Sequence, residues 1–132
     1  MMADGDIKFI NAGSLKPGSY VLIEGEPCQV KSVEKSKPGK HGAAKVRVTA
    51  MGIFRDTKKN LLKPVDADAQ TPIILKGNGQ VVAVMGDLVQ IMDIESYKTF
   101  DVPKPKDVAG ITGGSEVEYI HWGNFVKIVR KK

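Results

Sequence analysis

The chain has 132 residues, 42% apolar and 27% charged, enough for one ordinary globular domain or two small ones. Aromatic residues reach only 6%, too few for a nucleic-acid surface built mainly on base stacking, and no apolar window attains membrane-spanning length. The net charge of +5 and pI near 9.3 are moderately basic, well short of a histone-like tail.

Cys28 stands alone, so an intramolecular disulfide is impossible and a reducing compartment is the economical expectation. In a strand-like run it reads as a small buried hydrophobe rather than a nucleophile. The first residues, Met1-Met2-Ala3-Asp4-Gly5-Asp6, carry acids and lack the apolar run of a signal peptide, which points to the cytoplasm.

Ile7-Lys8-Phe9-Ile10 can open a strand that Asn11-Ala12-Gly13 turns, and Pro17-Gly18 marks a second turn. Tyr20-Val21-Leu22-Ile23 is a short apolar strand. Gly25-Glu26-Pro27 ends it and launches another through Val33. A polar loop follows, and the return strand runs from Val46 towards Phe54. Residues 55–60 read as a further polar turn before Leu61-Leu62. Short, closely spaced strands without a helical stripe suggest a small barrel.

Residues 64–72, punctuated by Pro64 and Pro72, read as an interruption, and Ile73-Ile74-Leu75 resumes the strand pattern. Asn78-Gly79 fits either a two-residue hairpin or a hinge between two halves. Strands follow at 80–85, 88–93 and 97–102. Lys106-Asp107-Val108-Ala109 is the one helix candidate, and a last hairpin turns at Gly123-Asn124. Five strands with a short helix between the third and fourth is the order of an OB-type barrel.

The chemistry concentrates between residues 31 and 47. Five lysines, Arg47 and His41 face one acid, Glu34, so this stretch holds an excess equal to the net charge of the whole protein. Pro38 stiffens the approach to a tip where Gly39 and Gly42 bracket Lys40-His41. A confined basic excess points to an anionic partner, with nucleic acid foremost. A lysine-rich solubilising edge is the plain alternative.

Other chemistries fit poorly. A phosphate-binding loop needs glycine where Glu34 stands and Ser or Thr where His41 stands. His41, His121 and Cys28 are not at zinc-like spacing, so no metal site is expected. Ser36 near His41 lacks the rigid surroundings of a catalytic pair, and Asp87, Asp93, Glu95, Glu116 and Glu118 show no pairing for acid–base work. The chain reads as a non-enzyme. An exposed lysine near a phosphate is worth about 1 kcal/mol in water, so Lys40 alone cannot anchor a complex.

The run Ser36-Lys37-Pro38-Gly39-Lys40-His41-Gly42-Ala43-Ala44-Lys45-Val46 resembles the hypusine loop of the translation initiation factor 5A family, relatives of bacterial elongation factor P. The resemblance extends to Gly13-Ser14-Leu15-Lys16-Pro17-Gly18-Ser19-Tyr20, Gly25-Glu26-Pro27-Cys28 and the stretch from Gly86-Asp87 to Asp93. Pro38 and the short N-terminus look archaeal; eukaryotic members usually carry threonine where Pro38 stands and histidine where Ala43 stands. The core Gly39-Lys40-His41-Gly42 is untouched by either difference.

The resemblance implies an all-β chain: an SH3-like barrel over residues 1–74 carrying the basic hairpin, then an OB-fold barrel over 75–132. It favours the hinge at residues 76–79. It implies that deoxyhypusine synthase transfers an aminobutyl group from spermidine to Lys40, with no other cofactor and no membrane partner. The modified factor would bind the ribosome beside peptidyl-tRNA and steady its acceptor end, promoting peptide-bond formation at stalled sequences and assisting termination. Lys35, Lys37, Lys45 and Arg47 would touch rRNA or tRNA phosphates. A general RNA-binding or RNA-chaperone module is the alternative.

Overall fold

Alternating apolar and polar residues, cut by Gly and Pro, commit this chain to short strands. The computed structural model describes residues 5–36 and 44–132. The described residues form eleven strands and one 3-10 turn, so the all-β expectation holds.

The first six strands are β1 (Ile7–Asn11), β2 (Tyr20–Ile23), β3 (Glu26–Ser36), β4 (Lys45–Gly52), β5 (Lys58–Pro64) and β6 (Asp68–Pro72), with the 3-10 turn at Ala12–Ser14. β2-β3-β4-β5 form an antiparallel sheet, and β1 pairs with β6. Glu24 and Gly25 both take positive φ (53° and 77°), the backbone of a tight primed hairpin turn joining β2 to β3. Inward residues of both sheets meet in a single core of Val21, Ile23, Cys28, Val30, Val46, Val48, Ala50 and Ala69, sealed by Ala12 and Leu15 from the 3-10 turn.

Two expectations fail here. The apparent interruption at 64–72 contains β6: Ala69 and Thr71 are small enough to be buried, and the Thr71 hydroxyl donates to the Tyr20 carbonyl at 2.8 Å, tying β6 to β2. Pro64 and Pro72 merely end β5 and β6, where a missing N–H costs little. Likewise, Lys58, Lys59 and Asn60 belong to β5 rather than to a turn, because β4 supplies a ladder partner for each.

The remaining strands are β7 (Leu75–Met85), β8 (Leu88–Asp93), β9 (Thr99–Pro103), β10 (Glu116–Trp122) and β11 (Phe125–Lys131), ordered β11-β10-β7-β8-β9. Their core gathers Val81, Val89, Ile91, Val102, Val117, Tyr119 and Ile128. Asn78-Gly79 is neither hairpin turn nor hinge. It lies inside β7, pairing with β10 along one edge and, from Gly79 onwards, with β8 along the other. Glycine serves a packing purpose here: a Cβ at Gly77 would sit 2.6 Å from the Tyr119 hydroxyl oxygen.

The helix expected at 106–109 is absent. Pro103 and Pro105 precede it and Gly110 follows at a φ of 77°, so the segment stays irregular. Val108 and Ile111 reach the core from this irregular segment instead.

The described chain divides into two compact units, Asp6–Ile73 and Ile74–Lys132, the latter joined by Gly5. The first holds twelve Lys and Arg against seven Asp and Glu; the residues outside it hold eight of each, counting Asp4, so the whole net charge resides in the first unit. Among the described residues no helix is long and apolar enough to cross a membrane.

Candidate functional site: the β3–β4 hairpin

β3 and β4 are held in antiparallel register to their ends, with Val33 opposite Val48, Glu34 opposite Arg47, Lys35 opposite Val46 and Ser36 opposite Lys45. Directly opposed residues share a face. Val46 and Val48 are fully buried, so the inward face of the hairpin stays seated on the core to within two residues of its end. Ser36 and Lys45, as paired residues, lie about 5 Å apart at Cα. The intervening chain therefore leaves and rejoins a fixed base.

Lys37, Pro38, Gly39, Lys40, His41 and Gly42 lie outside the described residues. Among the other predicted RNA contacts, Lys45 and Arg47 are exposed together on the outward face of β4. Lys35 is exposed too but shares the inward face with Val46, beyond the rim of the core. Among the described candidates, Lys35 therefore does not share a face with Lys45 and Arg47. Glu34 stands across the ladder from Arg47 and partly offsets its charge. Beside these cations the outward face continues through Thr49, whose hydroxyl meets Asn60 Oδ1 at 3.3 Å, and through exposed Leu62.

Cys28 is buried, and burial first, then the nearby Glu26 carboxylate, pushes its thiol up to about 11. A thiol so raised stays protonated near neutrality and is a poor nucleophile. Among the described residues no three His, Cys, Asp or Glu side chains gather as a metal site.

Two polar clusters escaped the sequence reading. In the first unit, buried Glu26 accepts a short hydrogen bond from the Thr57 hydroxyl, securing the turn between β4 and β5. In the second, Asp93 accepts from the Tyr119 hydroxyl on Oδ2, while its Oδ1 takes the Glu95 and Ser96 amides, each at 2.8 Å. Those donors, Tyr119 foremost, hold the Asp93 carboxyl down at about 2. Burial first, and then Asp93, drives the Tyr119 phenol well above its ordinary range. The Asp93-Ile94-Glu95-Ser96 run carried a legible sign of the amide half, since aspartate caps such turns; the tyrosine partner had none.

Comparison with known proteins bears directly on this hairpin. Residues 6–67, which include it, match the family model described as "Translation initiation factor 5A-like, N-terminal". "Translation initiation factor 5A" of Methanocaldococcus jannaschii is 48% identical over 123 residues, covering 93% of each chain. The chain belongs to the translation initiation factor 5A family. The protein of the same name from Sulfurisphaera tokodaii is 47% identical over 129 residues, 96% of this chain and 98% of that one.

Solved structures of the family agree in fold. "Eukaryotic translation initiation factor 5A from Methanococcus jannaschii" superposes with a TM-score of 0.86 at 47% identity, over 96% of this chain and 95% of that one. A family protein from Naegleria fowleri superposes at 0.72 with 28% identity, over 96% and 98% of the two chains. The first set of strands is thus the SH3-like barrel of the 5A fold and the second its OB-fold barrel. The matched relatives are named as translation factors rather than enzymes.

Proposed function

We propose that this 5A-family protein acts on the ribosome beside peptidyl-tRNA, presenting an aminobutylated Lys40 from the β3–β4 hairpin of its 1–74 barrel. Deoxyhypusine synthase would supply the aminobutyl group from spermidine, and no other cofactor enters. The lengthened side chain then steadies the tRNA acceptor end, promoting peptide-bond formation at stalled sequences and assisting termination. The factor would work by positioning, with the ribosome performing the chemistry.

The observation that carries this reading is the hairpin: its strands stay in register up to Ser36 and Lys45, over a core that ends at Val46. A registered base is what a reaching side chain requires if its tip is to be aimed. The charge distribution agrees, because the net positive charge falls in the unit that carries the hairpin. Lys45 and Arg47 supply general phosphate affinity on the outward face, with Lys37 as a further candidate. Lys35 contributes only where RNA also passes the opposite face of the hairpin.

Intact-mass analysis of protein from its native host should find Lys40 heavier by an aminobutyl group, with or without a hydroxyl. Lys40→Arg keeps the charge but should abolish stall relief. Full activity in that variant would refute the role and leave charge-driven RNA binding, favoured by the exposed Lys45 and Arg47, as the reading that stands.

A further inference from the structure

We infer that a backbone brace under Ala44, running through the Val65 main chain and controlled by Gly13, aims the modification hairpin, and that Gly13 is a positioning residue for whatever Lys40 delivers. The inference rests on the ribosomal reading above for its purpose, though not for its geometry.

The two ends of the hairpin are supported unequally. On the β3 side, the ladder with β2 stops at Gln29, and β3 continues to Ser36 paired with β4. On the β4 side, β5 accompanies the strand as far as Lys45, opposite Pro64, and the Val65 amide then donates to the Ala44 carbonyl at 3.0 Å. Ala44 is thus held one residue beyond the strand proper, where the chain rejoins the barrel. This end of the hairpin base is therefore the more firmly held.

Val65 is held in turn. The Gly13 amide donates to its carbonyl at 3.0 Å, the Ala12 amide donates to Ala67 at 2.8 Å, and Ala67 closes the turn onto Pro64 at 3.0 Å. The 3-10 turn that supplies these donors is itself fixed, because Ala12 and Leu15 are buried in the core on either side of Gly13. The Val65 side chain packs against the same core. A continuous path therefore runs from the barrel core through Gly13 and Val65 to Ala44.

Gly13 leaves no spare room in that path. A Cβ there would lie 3.1 Å from both the Val65 Cβ and the Val65 carbonyl oxygen. Carbon pairs pack best at about 3.5–4.0 Å, so an added methyl must move Val65. Because the close neighbours include backbone, rotating a side chain gives no relief; a main-chain shift of a few tenths of an ångström is needed, and on this inference the Val65 amide, and with it Ala44, takes it up. The position also explains the choice of residue, since Gly13 needs no positive φ and alanine is otherwise conformationally acceptable.

Two variants separate aiming from stability. Gly13→Ala keeps the Val65 side chain and displaces the brace; Val65→Ala keeps the N–H and loses packing. Each protein, and the wild type, is fully aminobutylated with deoxyhypusine synthase and spermidine and checked by intact mass. Three quantities are then read: peptidyl transfer on ribosomes stalled at a proline run, ribosome affinity, and hydrogen exchange at the Val65 amide. Gly13→Ala should exchange faster at Val65 and transfer about tenfold more slowly with unchanged affinity, given that a 1 Å misplacement can cost about 100-fold. Val65→Ala should melt earlier yet keep its rate.

Wild-type exchange at Val65 in Gly13→Ala, or faster exchange with a wild-type rate, overturns the inference. Equal rate losses in both variants, following their melting temperatures, overturn it as well. If modified wild type is no faster than unmodified, the ribosomal reading fails instead, and the exchange at Val65 still decides the brace.

Discussion

Replacing Tyr119 by Phe removes a single hydroxyl from the second barrel and leaves the ring in place over Gly77. That hydroxyl is the foremost of the groups holding the Asp93 carboxyl at about 2 rather than its ordinary 3.8. At about 1.36 kcal/mol per pH unit the whole depression corresponds to at most about 2 kcal/mol. Asp93 is partly open to solvent and keeps the Glu95 and Ser96 amides, so screening and the surviving donors reduce the loss to about 1 kcal/mol. For a domain of this size that lowers the melting temperature by about 4–8 °C.

The pH dependence carries a definite sign. A depressed carboxylate stabilises above its unfolded pKa, near 3.9, and its contribution disappears as pH falls towards 2. The difference between wild type and Tyr119→Phe should be full at pH 7, begin to shrink below about pH 4 and largely vanish near pH 2. Trp122 is the one tryptophan in the chain and sits buried in the same unit, so its fluorescence follows this transition in urea titrations. A gap that stays constant from pH 7 to pH 2.5, or no gap at all, would refute the argument that the hydroxyl acts through the carboxylate.

Gly77→Ala should destabilise the same barrel by about 1–3 kcal/mol, because its methyl must displace the Tyr119 ring; the urea midpoint measures this. Iodoacetamide at pH 8 should alkylate Cys28 far more slowly in folded than in urea-unfolded protein, since burial both covers the thiol and raises its pKa. Lys45→Ala and Arg47→Ala should each weaken ribosome or RNA binding and flatten its logarithmic salt dependence by about one, as loss of one phosphate contact requires. Salt titrations of the single variants check this, and an unchanged slope would remove that residue from the interface.

Local signals in the chain settled a good deal. Period-two alternation in Val46-Arg47-Val48-Thr49-Ala50 established which side of β4 faces the core, because successive strand residues must point to opposite faces. Gly123-Asn124 marked the last hairpin, and the run from Ser36 to Val46 announced the family. The same signals misled where their meaning depends on a distant partner. Asn78-Gly79 has the local chemistry of a turn, yet β10 on one side and β8 on the other draw it into a strand, and Tyr119 takes up the space a side chain would need at Gly77.

Residues 68–72 look like linker until β1 offers them hydrogen bonds across more than fifty positions of sequence. Pairing of Asp93 with Tyr119 and of Glu26 with Thr57 likewise joins residues that no window could connect. Sequence by itself determined what this protein carries: an all-strand chain of the 5A family with a basic hairpin. Only tertiary structure decided how that hairpin is held, because the brace at Ala44 is built from hydrogen bonds that link Gly13, Ala44 and Val65, residues far apart in the chain.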